Sequence, residues 1–102
     1  MNNNIIEMLT FKIKKEVTEE KILKLSKAFE EALKREVNGF IKRSLSKDCI
    51  GNKWIELIWW DSMESASIAL DKIPKTCEFK EYCSILEDDE SPLIYLKEVT
   101  SV

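Results

Sequence analysis

Histidine is absent from the 102 residues, and that absence excludes a large block of chemistry. There can be no histidine-ligated metal or haem, and no Ser–His or Cys–His nucleophile system. Cysteine is scarce and odd in number. Cys49, Cys77 and Cys83 contain no C-x-x-C pair, which gives no support to a disulfide framework or a thiolate zinc site. Three reduced thiols suit a cytoplasmic protein. No apolar stretch reaches membrane-spanning length. The opening segment MNNNIIEMLTF lacks the basic region and small-residue cleavage site of a secretory leader.

What is present describes a soluble globular chain, with 44% apolar and 34% charged residues, expected to form one domain over residues 1–102. Residues 1–50 hold 11 Lys/Arg against 8 Asp/Glu, and residues 51–102 hold 5 against 11. The basic excess is interleaved with acids over a helix and two strands, as on a solvated face. No nucleic-acid partner is expected, because such partners demand a basic stripe.

IIEMLTFKI (5–13) alternates as a strand, with Ile5, Glu7, Leu9, Phe11 and Ile13 on one side. Thr18, followed by Glu19 and Glu20, marks a helix start, and Val17 with Ile22 makes a hydrophobic staple. Ile22, Leu25, Phe29 and Leu33 recur at helical spacing. Gly39 is expected to end that helix in a left-handed conformation. FIKRSLSKD (40–48) and KWIELIWWD (53–61) read as a hairpin turning through Ile50-Gly51-Asn52. A second helix starts at Asp61 or Ser62, with Met63, Ala66, Leu70 and Ile73 as its apolar stripe. Pro74 interrupts it. TCEFKEYCSIL (76–86) forms a short further helix burying Phe79, Tyr82, Cys83 and Leu86, EDDESP (87–92) an acidic loop, and LIYLKEVTS (93–101) a last strand. The order βαββαβ predicts a ferredoxin-like α+β fold: a four-stranded antiparallel sheet with its helices on one face.

Adjacent tryptophans in a strand point to opposite faces. Ile55, Leu57 and Trp59 make an unbroken apolar face, which predicts Trp59 in the core beneath the helices. The alternate set, Trp54, Glu56, Ile58 and Trp60, with Met8, Ile6 and Tyr95, then forms an apolar open face. A homodimer is its expected cover, with Met8, Trp54, Glu56, Ile58 and Trp60 at the interface. Glu56, buried there, would need a partner such as Lys42 or Lys97. An RNA-recognition motif shares this strand order, but the acidic pI of about 5.1 and the missing basic signature argue against it.

The first strand running into FKIKKEVTEEKILKL, the VNGF after the first helix and the WWDSMESA junction resemble the antibiotic-biosynthesis-monooxygenase-like, dimeric α+β barrel superfamily, over roughly residues 4 to 100. The resemblance implies a dimer, each copy with a small-molecule pocket between sheet and helices. It also implies, as one activity among several in that superfamily, cofactor-independent monooxygenation of quinol- or anthrone-type aromatics. The haem-degrading branch is matched at none of its chemical positions, which fall near Leu9, Ala69 and Cys83. No cofactor is expected.

The candidate pocket comprises Leu9, Phe11, Phe29, Trp59, Phe79, Tyr82 and Cys83. Each of these residue types is also what core packing uses at such spacings. The expected partner is a small hydrophobic or aromatic molecule, and the alternative role is non-catalytic ligand binding or assembly.

Overall fold

The computed structural model describes residues 3–87 and 91–101. Strand β1 (Ile5–Lys12) leads through a turn to helix α1 (Glu19–Glu36), then to β2 (Phe40–Lys47) and β3 (Lys53–Trp60). Helix α2 (Met63–Lys72), a 3-10 turn (Ile73–Lys75), α3 (Cys77–Ser84) and β4 (Ile94–Lys97) complete the described order. The sheet runs β2-β3-β1-β4 and every neighbouring pair is antiparallel. This is the ferredoxin-like α+β fold.

Local signals explain most boundaries. The Thr18 hydroxyl accepts from the Lys21 amide, and α1 buries Ile22, Leu25, Ser26, Phe29, Ala32 and Leu33 on one side. Ser62, not Asp61, caps α2 by accepting from the Ser65 amide. Asp61 instead links backbones, its amide donating to the Gly39 carbonyl at 2.9 Å. Gly39 does not take a left-handed conformation. Its role is space, since a Cβ there would lie 2.0 Å from Ser65 Oγ and 2.4 Å from Asp61 Oδ1. The buried stripe of α2 is Ala66 and Ala69, continued by Ile73, while Met63 and Leu70 are exposed. Small residues there let the helix lie close to the sheet. Pro74 sits in the first turn of the 3-10 segment, where a missing N–H costs nothing, and Thr76 caps α3. β4 is shorter than the expected 93–101, and residues 88–90 of the acidic loop lie outside the described residues.

The faces of β3 are the reverse of the expectation. Trp60 is 0% exposed, Ile58 2% and Glu56 5%, all in the core beneath the helices. Trp54 lies on the same side, packed against that core. Trp59 and Leu57 face the uncovered side, where Leu57 pairs with Met8, Trp59 with Ile6, and these in turn with Ile94 and Leu96. Trp59 is held there by the Lys42 ammonium 4.5 Å from its ring and by a 3.1 Å bond from its Nε1 to Glu98. Of the five expected interface residues, therefore, only Met8 lies on the open face; Trp54, Glu56, Ile58 and Trp60 do not. Tyr95, opposite Glu7, also packs toward the core. The reason for the reversal is physical. Both faces of β3 are largely apolar, and a lone glutamate marks the outer face only if no partner meets it inside. Glu56 has one.

Trp60→Ala should remove a fully buried indole and cost about 3–5 kcal/mol, whereas Trp59→Lys should leave cooperative folding intact. Urea unfolding of both variants checks this. The opposite ranking would mean that the strand is slipped by one residue.

Candidate functional site

Two polar groupings stand on the helix-facing side of the sheet, and they are built differently. The first centres on Arg43, whose side chain is 3% exposed. A bulge at Ile41 shifts the β2 register, so that Phe40 lies opposite Trp60 and Arg43 opposite Ile58. Both therefore point under the helices. The guanidinium donates from Nε to Glu56 at 2.9 Å and closes a second, short bond to the same carboxylate through Nη2. It also donates to Ser26 Oγ at 2.7 Å, to the Ser26 carbonyl at 3.2 Å and to Tyr82 Oη at 3.0 Å. The Tyr82 hydroxyl in turn donates to Glu56 at 3.1 Å. Its ring stacks on Phe29 with centroids 4.8 Å apart. Burial pushes the Tyr82 phenol and the Glu56 carboxyl upward, Arg43 opposing both shifts. Every charge in this group has a partner. Neither Lys42 nor Lys97 is the partner of Glu56: Lys42 lies over Trp59 on the other face.

The second grouping is smaller. Glu7, on β1, accepts one bond of 3.1 Å from Trp60 Nε1. No lysine or arginine among the described residues pairs with it. Loss of water raises its pKa to about 6; the Trp60 bond opposes the rise and the charge of Glu56 adds to it. Beside it on β4, the Tyr95 hydroxyl is buried with no hydrogen-bond partner.

Between sheet and helices, both groupings border a cavity of about 220 Å³. Glu7, Leu9, Phe11, Glu56, Ile58 and Trp60 form its floor. Phe29, Leu33, Ala69, Ile73, Phe79 and Tyr82 form its roof, and the exposed Leu70 and Leu93 stand at its rim. Leu9, Phe11, Phe29, Phe79, Tyr82 and Cys83, named from the sequence, come together on this cavity. Trp59 does not, being on the other face of the sheet; Trp60 takes that place. The Cys83 thiol is raised by burial and by Glu56, which keeps it protonated and unreactive. Arg43 and Glu7 are residues that the sequence did not offer as site groups, and Trp60 was offered for the dimer interface and not for the cavity. A carboxylate alternating with Ile5, Leu9 and Phe11 was the available signal for Glu7. Among the described residues, no three of Cys, Asp and Glu are grouped as metal ligands, and no helix is long and apolar enough to cross a membrane.

The architecture matches that of the antibiotic-biosynthesis-monooxygenase-like proteins. A variant of SnoaB, a cofactor-independent oxygenase from Streptomyces nogalater, superimposes with a TM-score of 0.77 over 98% of this chain and 97% of its own, at 10% identity. A protein from Caulobacter crescentus CB15 assigned as an antibiotic biosynthesis monooxygenase gives 0.69 over 97% and 92%, at 17% identity. A dimeric ferredoxin-like protein of unknown function from Thermobifida fusca gives 0.61 over 95% and 92%, at 10% identity. Neither a family model nor a curated protein matches the sequence. The chain thus has the fold of this superfamily.

Two measurements follow from the site. Arg43→Met should cost about 3–5 kcal/mol by stranding Glu56, and Arg43→Met with Glu56→Leu far less; a double-mutant cycle in urea reads the coupling. For Glu7, the folded-state pKa of about 6 lies above its ordinary 4.5, so the folded protein holds the proton more tightly than the unfolded chain. Its stabilising effect is complete below pH ~4.5 and is lost as pH rises through ~6. Glu7→Gln should remove that slope and gain about 2 kcal/mol over the parent at pH 7.5. Equal pH profiles for the two proteins would refute the assignment.

Proposed function

We propose that the protein is a dimeric small-molecule protein whose cavity holds an aromatic ligand, and that it oxygenates a ring-hydroxylated (quinol-type) substrate without a cofactor. The observation that carries this reading is the cavity itself, apolar and aromatic on nearly every side, with one carboxylate that no cation among the described residues balances. Ligand pockets have this character, many apolar walls and few placed polar groups. An electron-rich aromatic held dry can itself react with dioxygen: a ring C–H of the quinol becomes C–OH as the ring passes to the quinone, and the second oxygen atom leaves as water. The resemblance of the fold to SnoaB points the same way.

Size narrows the ligand. An apolar cavity of roughly 150 Å³ takes benzene, so about 220 Å³ suits one substituted ring or two fused rings. A three-ring anthrone would need the roof to yield. The dimer would form through the side of the sheet that no helix covers, where Ile6, Met8, Leu57, Trp59, Ile94 and Leu96 lie together. That set keeps Met8 from the interface expected from the sequence and substitutes other residues for Trp54, Glu56, Ile58 and Trp60. The alternative, a non-catalytic binder, is favoured by the Tyr82 hydroxyl, since its bonds are already committed to Arg43 and Glu56.

Purified protein incubated with 1,4-hydroquinone, 1,4-dihydroxynaphthalene and anthrone under oxygen should turn over the bicyclic quinol fastest, read as oxygen uptake above the protein-free rate. Binding without uptake across the panel would favour the binder. In analytical ultracentrifugation the parent should sediment as a dimer and Leu57→Lys as a folded monomer.

A further inference from the structure

We propose that Glu7 is the catalytic base of this cavity, accepting the proton of a ring hydroxyl on the bound ligand, with Trp60 as the residue that positions it. The inference rests on the reading above, and goes beyond it by assigning the ligand's acidic group and the residue that meets it.

Four observations point to Glu7 as the proton acceptor. The cavity has two carboxylates on its floor, Glu7 and Glu56. Glu56 has its charge balanced by Arg43, which bonds it through two nitrogens, and it also accepts from the Tyr82 hydroxyl. Among the described residues Glu7 accepts one bond only, from Trp60 Nε1 to Oε1, and pairs with no cation, so its other oxygen is left for a donor from the cavity. The Trp60 indole is itself fully buried between the sheet and the helices, so the bond that orients Glu7 is rigid. A fixed acceptor with one free oxygen, at the edge of an apolar space, is the geometry a general base requires.

The groups that face Glu7 are few. From β3 come Trp60 and the Arg43-bound Glu56; from β4 the Tyr95 hydroxyl; from α3 Tyr82 and Cys83. The cavity residues of α1 and α2 are Phe29, Leu33, Ala69 and Leu70, none of them titratable. Among the described residues no cation offers Glu7 a competing partner. In the step proposed, the ring O–H bond breaks and its electron pair stays on the ring oxygen. The proton bonds to the free carboxylate oxygen, leaving neutral Glu7 and a ring oxyanion. No electron is transferred, so the step needs no oxidant. Removal of water, which raises the carboxyl toward neutrality, makes Glu7 a stronger base than an exposed glutamate.

The test compares the parent with Glu7→Gln, which keeps an acceptor for Trp60 but cannot take the proton. Binding of 1-naphthol and of naphthalene is measured by fluorescence at pH 7.5, and oxygen uptake with 1,4-dihydroxynaphthalene is followed from pH 5 to 8. The parent should bind naphthol at least ten times more tightly than naphthalene, as a bond to a charged acceptor allows. Its uptake should rise with pH to a plateau above ~6. Glu7→Gln should bind naphthalene normally, lose the naphthol preference, and show uptake reduced by about 10²-fold or more without the pH step. If naphthalene binds both proteins while preference, rate and pH profile are unchanged in Glu7→Gln, the inference fails and the cavity reading stands. If neither compound binds either protein, both fail together.

Discussion

A guanidinium cannot be placed in a protein core unless nearly all its donors are met, and Arg43 is placed there. Removing an ion from water costs several kcal/mol even after relaxation, so its acceptors are structural requirements. They come from three directions: Glu56 across the sheet on β3, Ser26 on α1, and Tyr82 on α3. Meeting them fixes the register of β2 on β3, the height of α1 above the sheet and the approach of α3. The outward-facing Trp59, the inward-facing Trp60 and the space left between sheet and helices all follow from that alignment.

The polar groups on either side of the cavity explain its character. On the Arg43 side the charges are closed upon each other, and Phe29 and Tyr82 stack beneath the guanidinium. That side gives rigidity and offers a ligand chiefly aromatic surface. On the Glu7 side one acceptor is left over and the neighbouring Tyr95 hydroxyl is unsatisfied. Buried polar groups are normally paired, and a carboxylate with no described cation next to an unsatisfied hydroxyl is the kind of departure that function, more than stability, accounts for.

The elements were legible in the sequence because they are written in local chemistry. Thr18 with its two glutamates, the Ile22–Leu25–Phe29–Leu33 stripe and the Ile50-Gly51-Asn52 turn each act over a few residues. The order of those elements then specifies the ferredoxin-like sheet. The faces of β3 were not legible in this way, because its two alternating sets differ by a single charged residue, and a charge is an outward signal only when unpaired. The partner that reverses it, Arg43, was concealed by the bulge at Ile41. Simple alternation from Phe40 puts Arg43 on the opposite side from Phe40; the extra residue brings both to the same side. Six of the seven cavity residues were nevertheless within reach, since their positions follow from helix spacing and from the parity of β1, which was read correctly. The seventh, Trp59, followed the error in β3.

The chain contains two glycines, and neither serves as a hinge or a left-handed corner. Among the described residues no backbone angle lies in the region reserved for glycine. Gly39 is kept by contact with Ser65 and Asp61, and at Gly51 a Cβ would lie 2.7 Å from Asp48 Oδ2. Replacing glycine by alanine commonly stabilises a protein by about 0.4–1 kcal/mol, because the unfolded chain loses freedom. Here that route is largely used up. The unfolded ensemble is already narrowed by a backbone built almost wholly from residues with side chains; Gly39 has no room for a methyl group, and at Gly51 the exposed Asp48 carboxylate would have to move aside.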